Sequence, residues 1–194
     1  MIDDIKKIVS EKLKDHQSRL KHVFGVYETA VKLASIHNVD IEKASIAALF
    51  HDFSKYDPIE DQIKHMPLKL IKAYADYPVI YHAIAASIEL EINFHIKDQD
   101  ILNAIRYHVW GRPNMSILEK IIFVSDSCEP NRAFDDAKFI YKTATKDLDY
   151  AVLLAMKASI DDLKIRRHLE PSDEQYLAYR YYLEVNRGKT KQTD

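Results

Sequence analysis

In the stretch "ALFHDFSK", His51 and Asp52 stand side by side at the end of an apolar run. An imidazole next to a carboxylate loses several kcal/mol of hydration on burial unless both groups find partners. The same anomaly recurs elsewhere. His22 lies between Leu20 and Val23-Phe24, His82 follows Val79-Ile80, His108 adjoins Val109-Trp110, and Asp126 ends the run "IIFVSD" where a core helix should stay apolar. Burial disfavours a charged carboxylate unless a cation lies within a few ångströms, and a divalent ion satisfies carboxylates and neutral imidazoles together. One metal centre would account for all of these positions.

Neighbouring helical residues point about 100° apart, so His51 and Asp52 can face one ion only if their helix ends on them. His22, His82, His108 and Asp126 are then expected to arrive from four other helices. A donor set of His and Asp without Cys suits Fe, Mn, Co, Zn or Mg, and its size leaves room for two ions rather than a closed structural zinc. Arg19 stands three residues before His22 and Lys55 three after Asp52, each on the helical face of its proposed ligand, while Arg106, Arg112 and Arg132 flank His108 and Asp126. Cations next to a metal centre point to phosphate, which Arg meets with a fork of donors and Lys with a point charge. The other histidines, His16, His37, His65, His95 and His168, are assigned to the surface.

The elements that must position these groups read as helices throughout. The chain has 194 residues, 47% of them hydrophobic, with only 3 Gly and 6 Pro, which favours one all-α domain with short connections. Apolar spacing of three and four marks helices in "MIDDIKKIVSEKLKDH", in "LKHVFGVYETAVKLASIHN", and in "IEKASIAALFHD" behind Asp40 as N-cap. Pro58 and Pro67 punctuate a connection with short helices, and Pro78 opens "VIYHAIAASIELEINFH". Asp98 or Asp100 starts "ILNAIRYHVW", which "GRPN" stops; Ser116 and Glu119 form a capping box for "ILEKIIFVSDSCE", which Pro130 stops. A further piece near 134–143 and the segments "LDYAVLLAMKASIDDLKIRR" and "SDEQYLAYRYYLEVNR" complete the set, with residues 189–194 expected as a disordered tail.

With 28 Lys plus Arg against 30 Asp plus Glu, the net charge is −2, so no basic excess exists to neutralise a nucleic-acid backbone. Phosphate recognition must be local and the partner a small molecule. Cys128 is the single cysteine, which rules out an internal disulfide, fits a reducing cytoplasm and reads as a structural thiol. No apolar run is long enough for a signal peptide or a membrane span. A cytoplasmic enzyme with no membrane partner is the expectation, and a homodimer is compatible with it.

The order His22, His51-Asp52, Asp126 in an all-helical chain resembles the HD superfamily of metal-dependent phosphohydrolases. The segments "RLKHVFGVYETA", "AALFHDFSK", "ILNAIRYHVWGRPNMSILEKIIFVSD" and "EPNR" are similar to its YqeK-type branch, the symmetrical diadenosine tetraphosphate hydrolases. That resemblance implies a single-domain HD helical bundle over 1–188 that cuts the tetraphosphate into two ADP. It implies His22, His51, Asp52 and Asp126 as ligands of an iron centre, with Mn, Co or Zn as alternatives. It also implies Arg19, Lys55, His82, His108 and Arg132 around the nucleotide phosphates or a second ion. Asp52, Lys55, His82 and His108 are the expected catalytic group, with metal-bound hydroxide attacking a β-phosphorus. His82 and His108 could complete a second ion site or protonate the leaving phosphate, and the residues leave that choice open. The chain departs from the branch pattern at Val109-Trp110, at Ser127-Cys128, and at Glu170 and Asp173 in "LEPSD". The rival readings are an HD hydrolase of a deoxynucleoside phosphate or a guanosine polyphosphate, a non-catalytic nucleotide-binding HD module, and a structural bundle whose histidines are unrelated.

Overall fold

The computed structural model describes residues 1–132 and 136–190, the side chains of 189 and 190 aside. Helices account for its regular structure, with no strand among the described residues: α1 (Ile2–Lys12), α2 (Gln17–Ile36), α3 (Ile41–Phe50), α4 (Ile59–Ile63), α5 (Leu68–Ala73), α6 (Tyr81–Asn93), α7 (Gln99–Arg106), α8 (Ile117–Cys128), α9 (Ala137–Ala144), α10 (Leu148–Asp161) and α11 (Asp173–Thr190). A 3₁₀ turn, Pro78–Ile80, leads into α6, and a π turn, Asp162–Arg166, follows α10.

Helix α3 is the axis of the bundle, because every residue from Ala44 to Phe50 is buried. A helix apolar all round can only be covered on all sides, and α1, α2, α7 and α8 pack against it. Asp40 caps it, its Oδ1 accepting from the Glu42 N–H at 2.8 Å. Asp98 caps α7 in the same way. The Ser116–Glu119 capping box opens α8, with both reciprocal hydrogen bonds formed. Such side-chain caps satisfy amide groups that the first helical turn leaves unpaired. The main core runs from Ile5, Val9 and Leu13 through Leu33, Leu49, Ile105, Ile121 and Ile122 to Val152 and Tyr182. Each fully buried Leu or Ile contributes about 1.5–3 kcal/mol. Met66, Ile80, Tyr81, Ile84 and Trp110 form a second, smaller core beneath the α4–α5 excursion.

Two boundaries differ from the sequence reading. Helix α7 stops at Arg106 rather than running to Trp110: its C-cap Tyr107 leaves helical geometry at φ −103° and ψ 9°, the His108 N–H turns back three residues to the Ile105 carbonyl at 3.4 Å, and Gly111 closes the turn with φ +70°. His108 therefore stands in the turn after α7, not on a helix. Helix α11 extends through Thr190, and the remaining tail positions 191–194 lie outside the described residues. The piece near 134–143 forms as α9, whose start follows residues 133–135, also outside them.

Candidate metal centre

His51 is the C-cap of α3, and the chain leaves the helix there in successive turns, with Phe53 N–H on the Phe50 carbonyl and Lys55 N–H on the Asp52 carbonyl at 3.0 Å. Helix termination lets the adjacent His51 and Asp52 converge. His22 comes from α2, His82 from the first turn of α6, Asp126 from the last turn of α8, and His108 from the turn behind α7. His22, His51, Asp52, His82 and His108 are all buried, and the Asp126 side chain keeps 21% exposure.

Three of the four imidazoles are oriented by their own backbone. Nδ1 of His51, His82 and His108 lies 2.7 Å from the carbonyl three residues earlier, of Ala48, Val79 and Ile105 respectively. A carbonyl only accepts, so Nδ1 carries the proton and Nε2 presents a lone pair. In His22, Nδ1 instead faces the Glu129 carboxylate at 3.1 Å.

Asp52 divides the centre between its two oxygens. Oδ2 faces His51 Nε2 at 3.3 Å and His22 Nε2 at 3.7 Å; Oδ1 faces His82 Nε2 at 3.1 Å and His108 Nε2 at 3.8 Å. Asp126 Oδ1 joins the first group, 3.0 Å from His22 Nε2 and 4.0 Å from His51 Nε2. Ligand atoms about 2.0–2.2 Å from one ion stand roughly 2.8–3.6 Å apart, close to the spacing in both groups. The buried Nε2 atoms of His22 and His51 have no hydrogen-bond partner. Lone pairs and carboxylate oxygens aimed at each other repel unless a cation lies between them, so the donor set fits a divalent ion. His22–His51–Asp52 and Asp52–His82–His108 are two such groups sharing one carboxylate.

Three of the expected cations border the centre. Arg19 Nη1 donates to Asp52 Oδ2 at 2.7 Å, Arg132 donates to Asp126 through Nη2 and to its backbone carbonyl through Nε, and Lys55 Nζ stands 3.3 Å from His82 Nε2. Burial alone would raise the Asp52 carboxyl, but positive charge where the Nε2 atoms of His51, His108 and His82 meet it, whether a proton on the rings or a cation in its place, holds the group well below the usual range. Asp126 is held down likewise against its burial, by positive charge at His22 Nε2 and by Arg132. Burial, with His108 and Lys55 beside it, pushes His82 down to about 4 despite Asp52. Lys55 is lowered by burial, with Arg19 adding to the effect and Asp52 opposing it.

Arg106 and Arg112 do not join this centre, contrary to their sequence proximity to His108. Arg106 donates to Ser87 Oγ at 3.2 Å and Arg112 to Glu119 at 2.7 Å, both beside a separate cleft that includes Tyr74, Trp110 and Glu174. The cause is the turn at 107–111, which directs His108 inward. Of the histidines assigned to the surface, His65, His95 and His168 are exposed. His16 and His37 are half-buried, the first stacked on Tyr56 and the second on the Ala144 carbonyl at 2.7 Å. Glu129 was not singled out by the sequence, since nothing local links it to His22, 107 positions away. Its one signal is a carboxylate at the C-cap of α8, three residues after Asp126.

The sequence model of the HD domain matches residues 19–131. The chain is 39% identical over 151 residues to a symmetrical bis(5'-nucleosyl)-tetraphosphatase of Bacillus subtilis, covering 77% of this chain and 80% of that protein. A protein of the same name from Halalkalibacterium halodurans is 37% identical over 158 residues, covering 79% and 82%. The crystal structure of a Clostridium acetobutylicum protein, titled a predicted HD superfamily hydrolase involved in NAD metabolism, superposes with a TM-score of 0.85 at 35% identity, covering 95% of this chain and 98% of that one.

Proposed function

The chain belongs to the HD domain family, and from that premise we propose that it is a metal-dependent hydrolase cutting diadenosine tetraphosphate symmetrically into two ADP. The observation that carries the chemistry is the shared Asp52 carboxylate, with a buried His22–His51 pair at one oxygen and a His82–His108 pair at the other. His22, His51, Asp52 and Asp126 are the proposed ligands, and iron is the proposed native ion, to be compared with Mn, Co and Zn. A divalent ion bound there supplies activation of water and neutralisation of phosphoryl charge.

The protein's own residues do the rest. Arg19, Lys55 and Arg132 keep 25%, 28% and 32% of their side chains exposed, so each can hold a carboxylate or imidazole of the centre on one side and meet a phosphate on the other. Fixed cations at those places hold the phosphate chain and offset charge gathering on its non-bridging oxygens, the contribution phosphoryl transfer chiefly needs. His82 and His108, with Nε2 atoms 3.4 Å apart, serve either a second ion on Asp52 Oδ1 or the proton of the leaving phosphate. A metal content of two per chain selects the first role, and one per chain the second.

The cut position tests the reading. If Arg19, Lys55 and Arg132 hold the α-phosphate of one half, the β-phosphorus reaches the centre and ADP leaves. Chromatography of early products should then show ADP alone, and heavy-oxygen water should label one β-phosphate per turnover. Early AMP plus ATP, or label on an α-phosphate, would rule out the symmetrical register.

A further inference from the structure

Glu129 is a carboxylate that neither the proposed ligand set nor the phosphate contacts use, yet it is 1% exposed. Its Oε1 lies 3.1 Å from His22 Nδ1, and its Oε2 accepts from the backbone and side-chain amides of Asn131 at 2.7 and 2.8 Å. Both oxygens are thus committed, and the one on His22 meets the ring nitrogen opposite the centre. Helix α2 makes room for it. A Cβ at Gly25, three residues after His22, would stand 2.2 Å from Glu129 Oε2 and 3.0 Å from Asn131 Nδ2.

The contrast with the other imidazoles gives this contact its meaning. His51, His82 and His108 each use a carbonyl three residues back. His22 sits within α2, well before its end at Ile36, where the preceding carbonyls serve the helix itself. Its ring must be oriented from outside, and the group that does so is a carboxylate. A carboxylate accepts the Nδ1–H more strongly than an amide carbonyl and leaves Nε2 a better donor to a metal.

Building on the metal-centre reading above, we propose that Glu129 is the positioning residue of His22, and that through it the His22–His51–Asp52–Asp126 group takes up a metal ion more tightly than Asp52–His82–His108. The end of α8 then contributes to the centre twice: Asp126 from within, and Glu129 from behind the ring of His22.

Cobalt(II) titration of the full chain against a competing chelator, followed by the visible absorption of the bound ion, tests this without reference to turnover. Glu129→Gln keeps the shape and an acceptor but removes the charge, and should weaken the tighter site about 10- to 100-fold, with an altered cobalt spectrum. Gly25→Ala, which displaces the carboxylate without touching a donor, should reproduce the loss. In a His22→Ala background Glu129→Gln should cost nothing further, since a residue acting through His22 has nothing left to act on. Unchanged affinity in Glu129→Gln, or an equal loss with and without His22, overturns the proposal while the metal reading stands. A wild-type chain that takes up no cobalt overturns both.

Discussion

Helix α8 begins in one buried polar cluster and ends in another, and the two differ in what they leave unpaired. At its start Glu119, 1% exposed, accepts from the Ser116 backbone N–H and from Arg112, while the Ser116 hydroxyl accepts from the Glu119 N–H and donates to Asp100. That cluster is closed. At its end Asp126 meets Arg132 but also faces His22 Nε2, and the Nε2 atoms of His22 and His51 are buried without a hydrogen bond. That cluster is open toward one point. Buried polarity alone therefore does not mark a site, since a closed network stabilises a helix start. Buried imidazole nitrogens left without a hydrogen-bond partner beside carboxylates mark a place for a ligand.

The comparison breaks most sharply at its open end. His51→Ala or Asp52→Ala should remove both bound metal and hydrolysis while the circular dichroism stays helical. Full turnover in either variant would remove these residues from the proposed ligand set. Next come the cations at the rim. Lys55→Ala or Arg132→Ala should leave metal content unchanged yet lower turnover about 10- to 1000-fold, the range for a charge-assisted contact worth about 1.5–4 kcal/mol in the transition state. Parallel loss of metal would show that they support the ligands rather than the phosphates.

The closed end should respond in the opposite way. Glu119→Ala removes a helix cap and the acceptor of Arg112, whose side chain is 39% exposed and regains water. The cost should be about 2–3 kcal/mol of stability, read by denaturant unfolding, with the metal content of the folded protein unchanged. The smallest expected effect concerns Cys128, on α8 near the open end, whose thiol burial, then Asp126 and Glu129, push up to about 12. At pH 8 it remains a protonated thiol in the folded chain and should be alkylated only as fast as the protein unfolds. Rapid labelling of the native state would mean that this end of α8 opens on its own.

Local chemistry was legible from the residues. Asp40 and the Ser116–Glu119 box start their helices where the sequence places them, because a cap acts within three residues of itself, and of the two candidates Asp98 and Asp100 the first caps α7. The ending of α3 on His51-Asp52 was legible for the same reason: two adjacent polar groups cannot both turn to one point inside a helix. Trp110, one of the departures from the family pattern, is buried in the smaller core with Met66 and Ile84.

Arg106 and Arg112 show where sequence proximity misleads. Both lie within four residues of His108, yet Arg106, at the end of α7, reaches Ser87, and Arg112, beyond the turn at Gly111, reaches Glu119. The sequence by itself determined which residue types are anomalous and which helices must end to free them, since both follow from hydration and a 3.6-residue period. Only the tertiary structure decided that Asp52 gives one oxygen to each pair of imidazoles, and that His22 takes its orientation from Glu129. Apart from the adjacent His51 and Asp52, those contacts join residues 30 to 107 positions apart, and no local pattern encodes the packing of α2, α3, α6 and α8 that brings their atoms within 4 Å.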